Sequence, residues 1–164
     1  MPRSARETGA VAEPRLDRVV RTLFSSRYSI HDLSRARGEG EENWSRFNMP
    51  LELGIAVARR HVTRRRADRH DWLLLVSAGH SYRRFLSNLA GFDPETHDET
   101  VETVVPKVIA WLANRSAVRT PTPRAILDKL PAFHAEKQRL EKEWNGAAPW
   151  RSLLVAAEEV AKEE

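Results

Sequence analysis

The sequence predicts an α/β fold: a short parallel sheet covered by helices, followed by a C-terminal helical extension. Three observations carry this expectation. Residues 28–34 (Tyr-Ser-Ile-His-Asp-Leu-Ser) begin with β-formers and end polar, as a strand running into a loop does. Residues 72–77 (Trp-Leu-Leu-Leu-Val-Ser) are a continuous apolar run, which reads as a strand buried on both faces. Between and around them lie helix-length segments with apolar residues at helical spacing.

Length and composition set the scale. A chain of 164 residues with 41% hydrophobic content can bury one substantial core, so one domain with a small appendage is expected. Twenty-seven Lys and Arg against twenty-three Asp and Glu give a formal net charge of +4, too small to imply nucleic acid without a concentrated patch. The absence of cysteine excludes a disulfide framework and thiolate metal sites. The polar amino-terminal residues contain no signal-peptide core, and no apolar run approaches the roughly 20 residues of a membrane span. A soluble, cytoplasmic protein is the expectation.

In order along the chain, residues 1–13 read as a loose arm and 14–26 as an amphipathic helix, with Leu16, Val19, Val20, Leu23 and Phe24 on its apolar side. The strand at 28–34 places Asp32 and Ser34 at its carboxyl end, where open parallel sheets bind ligands; Asp32 is equally well explained as a turn or cap residue. Residues 35–46 form a polar loop whose Gly38 and Gly40 resemble part of a phosphate loop, but Glu39, Glu41 and Glu42 would repel phosphate. Trp44 and Phe47 then flank the start of the next helix, as packing residues or as a lid.

That helix, from Asn48 through Ala58, reads as buried on nearly all sides, with one carboxylate, Glu52, near its start. Asn48 is read as its N-cap, Pro50 fits only the first turn, and Glu52 lies four residues after Asn48 near the positive end of the helix. An amide and a carboxylate presented together at a helix mouth suit a polar ligand; a lone Glu more commonly pairs with one of the many arginines. The run 59–70 holds six arginines and reads as a solvated helix exit, because no aromatics are interleaved for base stacking. After the second strand, His80 stands at another strand end and is a candidate to share an edge with Asp32, while Ser81 suits the cap of a helix at 81–90 stopped by Gly91.

Residues 92–98 read as an acidic, turn-rich loop, and 99–114 as an amphipathic helix with a kink expected at Pro106. The segment 116–123 is a stiff Pro-rich linker, and 124–164 an accessory helical extension with breaks at Pro131 and at 145–149. The six histidines show no i, i+4 pair, so no metal site is expected.

The strand ending in Asp32-Leu33-Ser34 and the following Asn48-x-x-x-Glu52-Leu53-Gly54-x-Ala56 resemble the strand and helix of TIR-like and nucleoside 2-deoxyribosyltransferase-like proteins. The resemblance covers about residues 12–115 and extends through the 72–76 strand and the 82–91 stretch to an uncharacterised bacterial branch of that superfamily. It implies a flavodoxin-like parallel sheet that binds a nucleotide or nucleoside. It further implies a hydrolase-like activity in which Glu52 is the carboxylate that supports cleavage of an N-glycosidic bond, with Asp32, Ser34, Asn48 and His80 around the ligand. No bound cofactor is expected; NAD or a nucleotide enters as substrate or ligand. Two further readings stand beside the enzyme: a nucleotide-sensing module without turnover, and a protein-interaction domain in which Glu52 is structural.

One departure from the family has consequences for packing. Its members begin with a central strand, and nothing before Pro14 has strand character. With only two convincing strands, the expectation is an amino-terminally incomplete domain whose 28–34 strand has an unpaired edge, and hence a homo-oligomer through that edge.

Overall fold

The structure, a computed structural model, describes residues 2–4, 13–34, 38–39, 44–45, 47–65, 68–79, 87, 91–115 and 119–162. Its helices are α1 (Arg15–Ser25), α2 (Asn48–Val62), α3 (Val101–Ala113), α4 (Pro123–Glu143) and α5 (Trp150–Lys162). The strands β1 (Tyr28–Asp32), β4 (Asp71–Ser77) and β5 (Glu95–His97) form one parallel sheet in the order β1-β4-β5, and β2 (Gly38–Glu39) pairs antiparallel with β3 (Trp44–Ser45). A three-stranded parallel sheet with helices on both faces is compatible with a flavodoxin-like layout.

Strand alternation divides the core into two layers. Leu74 and Val76 of β4 face α2, where they meet Leu33 and Leu53 with Met49 and Val57 against them. Leu73 and Leu75 face the other way, onto Trp111, Val104, Val108 and Leu112 of α3. Tyr28 joins this second layer, its ring edge-on to Trp111 at 5.5 Å. A smaller cluster of Val19, Leu23 and Ala56 fastens α1 to α2. The apolar run of β4 is thus buried on both sides, as its sequence predicts.

Three expectations need correction. A third strand exists, because residues 95–97, expected within a loop, pair with Leu75–Ser77 of β4. Three residues with no apolar alternation give no periodic signal. Second, α2 is buried on one face only: Leu53 and Ala56 are fully buried, but Leu51 is 54% exposed. The helix lies over one face of a three-stranded sheet, so its outer side meets solvent. For the same reason Leu16 and Phe24 of α1 are exposed although they fall on its apolar stripe. Third, Pro131 does not break α4, which runs without interruption through 21 residues. Pro131 is exposed, so nothing packed against the helix there forces a bend.

Among the described residues β1 pairs only with β4, and Ile30 on it is 46% exposed. On the far side α4 lies against α3 and forms a hairpin with α5. Asn145 takes φ 49° at the turn, and the Gly146 N–H closes it on Glu141 O at 2.9 Å. Lys129 Nζ on α4 donates to Val160 O and Ala161 O, placing a cation at the negative end of α5. Thr122 caps α4, its hydroxyl accepting from Ala125 N–H at 3.2 Å beside Pro123 at the first helical position. Thr122→Ala is expected to cost about 1 kcal/mol, measured as a lower urea midpoint with an unchanged slope.

Candidate site at the carboxyl edge of the sheet

The parallel strands bring their carboxyl ends to one edge, and three polar side chains meet there. Asp32 ends β1, Ser34 follows it, and His97 ends β5. The register Asp32↔Leu75 on one side of β4 and Ser77↔His97 on the other carries Ser34, Ser77 and His97 into one row across the sheet. Leu33 N–H continues the ladder to Leu75 O at 2.9 Å, and Ala78 N–H reaches His97 O at 2.7 Å.

The hydrogen bonds have one consistent direction. Glu99 N–H donates to His97 Nδ1 at 3.0 Å, so the neutral ring carries its proton on Nε2. That N–H donates to Ser34 Oγ at 3.0 Å, with Asp32 Oδ1 at 3.4 Å. The Ser34 hydroxyl donates to Asp32 Oδ1 at 2.5 Å, and Ser34 N–H reaches the same oxygen at 2.9 Å. Ser34 and His97 are buried, while the Asp32 side chain is about half exposed at 47%. Asp32 Oδ2 has no partner among the described residues.

This arrangement is not a serine nucleophile with its base. The imidazole donates to the serine instead of accepting from it, and the carboxylate bonds to the serine instead of to the ring. What it produces is a carboxylate held by converging donors on one oxygen, with the half-exposed side chain standing at the sheet edge. Glu99 supplies its N–H from φ 68°, a left-handed conformation that costs a non-glycine residue about 1 kcal/mol. The next turn is fixed by Asp98, whose Oδ1 accepts from Thr100 N–H, from the Thr100 hydroxyl at 2.7 Å and from the Thr103 hydroxyl. These bonds hold the Asp98 carboxyl below its ordinary pKa. Ser77 Oγ, buried in the same row, has no hydrogen-bond partner among the described residues.

The structure brings together Asp32 and Ser34 and adds His97. Only the need for a third strand before α3 could have pointed to that residue. Asn48 is the first residue of α2, not its cap: Phe47 occupies the cap position with αR backbone and no side-chain cap bond, because the chain already turns helically there. Glu52 lies on α2 and is partly buried; burial raises its carboxyl pKa above the ordinary value, and Arg15 at the start of α1 opposes the rise. No hydrogen bond joins Asn48 or Glu52 to the Asp32 group among the described residues. By alternation Asp32 shares the strand face of Tyr28, toward α3, whereas α2 covers the opposite face. His80, Ser81 and the Trp44 side chain lie outside the described residues, and Phe47 is exposed.

The arginine run behaves differently from a solvated exit at its start. Arg59 donates to Leu23 O and Ser26 O, closing the end of α1, and lies 2.8 Å from His70 Nδ1. Arg60 pairs with Asp71 at 3.3 Å and its guanidinium sits over the Trp72 ring. Beneath them His70 and His31 share one hydroxyl: Ser29 Oγ is 2.8 Å from His70 Nε2 and 2.7 Å from His31 Nε2. Both rings are buried, and His31 Nδ1 has no hydrogen-bond partner among the described residues.

Among the described residues no group of three or more His, Cys, Asp or Glu could hold a metal ion, and no helix is long and apolar enough to cross a membrane. The fold and these residues together define an α/β domain with a polar row of side chains along the carboxyl edge of its sheet. Comparison of the chain with protein-family models, with curated proteins and with solved structures gives no match.

Proposed function

We propose that the chain is a nucleotide- or NAD-binding domain of the TIR-like kind, with the ribose hydroxyls of the ligand held by Asp32. The observation that carries this reading is the Asp32 carboxylate itself, fixed on Oδ1 by Ser34 and His97 and, among the described residues, unbonded on Oδ2 at the carboxyl edge of a parallel sheet. A pair of vicinal hydroxyls is the natural partner of such an oxygen, since an ionised carboxylate only accepts.

Glu52 is the group we assign to the N-glycosidic bond. Cleaving that bond builds positive charge on the ribose ring, and a carboxylate removed from water stabilises it more strongly than one in bulk solvent. Partial burial of Glu52 near the start of α2 supports the assignment. A ligand would have to extend from Asp32 past the sheet edge to reach it. A sensing module without turnover is the second reading, favoured by the lack of any hydrogen bond between Glu52 and the Asp32 group among the described residues.

Calorimetry of the full chain against NAD, nucleotides and cyclic nucleotides tests the common part. Binding is expected, and Asp32→Asn should weaken it about tenfold or more, the equivalent of one charge-assisted hydrogen bond. Equal affinity of the Asp32→Asn variant would remove the carboxyl edge as the site. Glu52→Gln separates the two readings. Under the enzyme reading it abolishes release of the base while leaving affinity within a few-fold; under the sensing reading no base is released by either protein.

A further inference from the structure

A cavity opens at the end of the sheet opposite the Asp32 edge. Among the described residues β5 pairs only with Leu75–Ser77, so the amino half of β4, residues 71–74, has no paired strand residue on that side. The space is a slot of about 610 Å³, walled by Trp111, Pro106 and Ala110 of α3 on one side and by Trp72 and Phe92 on the other. Its volume falls in the range of ligand sites.

Backbone direction and charge identify what fits. Asp71 N–H and Leu75 O are bonded toward β1, and Ala78 N–H toward β5, so alternation turns the Trp72 C=O and the Leu74 N–H toward the slot, while the Leu74 C=O already accepts from β5 through the Leu75↔Glu95 pairing. The Trp72 N–H is taken by Asp71 Oδ1 at 3.1 Å. At the amino-terminal rim two cations, Arg60 and Arg115, surround one anion, Asp71, at 3.3 and 2.7 Å. At the other rim the signs reverse, with Asp93 and Glu95 against Lys107, which lies 3.1 Å from Glu95. The rings of Trp72 and Trp111 lie beneath Arg60 and Arg115 and hold those guanidiniums in place.

We propose that this slot takes an extended peptide segment of another protein as an added strand along residues 71–74, with an acidic side chain toward Arg60 and Arg115 and a basic one toward Asp93 and Glu95. Four strand residues span about 13 Å, so a pentapeptide covers the open ladder. Main-chain hydrogen bonds supply the affinity and the opposed charges select the sequence. The proposal is independent of the carboxyl-edge reading, since no residue is shared between the two sites.

The test uses the full chain labelled with ¹⁵N and the capped peptide Glu-Val-Thr-Val-Lys. Amide shifts at Trp72 and Leu74 are expected, with affinity at least about fivefold weaker for Glu-Val-Thr-Val-Glu and for Lys-Val-Thr-Val-Lys. A peptide N-methylated at alternate residues should not bind. Ala110→Trp, at an exposed position on α3, should fill the slot and abolish the shifts while leaving the rest of the spectrum unchanged. The proposal is overturned if no peptide shifts these amides at millimolar concentration, if the N-methylated peptide binds equally, or if Ala110→Trp binds unchanged. A concentration-dependent dimer that shifts the same amides without peptide would also overturn it, by assigning the slot to a second copy.

Discussion

Leu53→Ala is expected to lose about 3 kcal/mol of stability, the largest loss foreseen for a single truncation in this chain. Leu53 is fully buried and belongs to the cluster of Leu33, Leu74 and Val76, which joins α2 to both β1 and β4. Removing its branched end takes apolar area out of contact and leaves a cavity that the strands cannot close without shifting their register. Domains of this kind have roughly 5–15 kcal/mol in total, so such a loss is a substantial fraction. The same residue stands beside Glu52 in sequence and packs on Leu33, the residue between Asp32 and Ser34. The variant should therefore lower the urea midpoint and, on the proposed nucleotide-binding function, weaken nucleotide affinity as well. A midpoint within the equivalent of 1 kcal/mol of the parent chain would show that this cluster does not carry the α2 contact.

The strands and helices with long, one-sided patterns were legible in the sequence because burial imposes a period on residue type. β4 and α3 are examples: the first is apolar throughout because both faces are covered, and the second repeats Val104, Val108 and Leu112 toward the sheet. β5 was not legible, since Glu95, Thr96 and His97 form a strand only because β4 offers an edge. His97 disappeared from the predicted site with it. Asp32 and Ser34 were legible as a strand end, but the direction of their hydrogen bonds depends on His97 and Glu99, which lie more than sixty residues away. The helix of Glu52 looked buried all round because its outer residues are apolar or small. Composition does not tell an outer face from an inner one when the sheet beneath is narrow.

The buried histidine pair predicts a steep loss of stability in mild acid. Burial, with a smaller contribution from the charge of His70, lowers the His31 pKa to about 4, whereas an unfolded histidine titrates near 6.5. Below pH 6.5 the unfolded chain therefore binds a proton that the folded chain excludes, and stability falls as the pH is lowered until the folded ring titrates near 4. The full contribution is present above pH 6.5, and its loss across this window is about 3 kcal/mol. His70 acts in the same direction: burial lowers its pKa first, Arg59 and Arg60 add to the effect, and the Ser26 carbonyl and Asp71 oppose it. Glu52 acts oppositely, because its raised carboxyl pKa favours the folded state as the pH falls, so wild-type data alone mix the two signs. His31→Leu isolates the ring. It keeps a similar volume, leaves Ser29 free to bond His70 Nε2 and removes the unpartnered His31 Nδ1 from the core. Urea midpoints between pH 7 and pH 4 should fall much less for His31→Leu than for the parent chain. Parallel curves for the two proteins would mean that His31 is protonated in the fold, with an acceptor found for Nδ1.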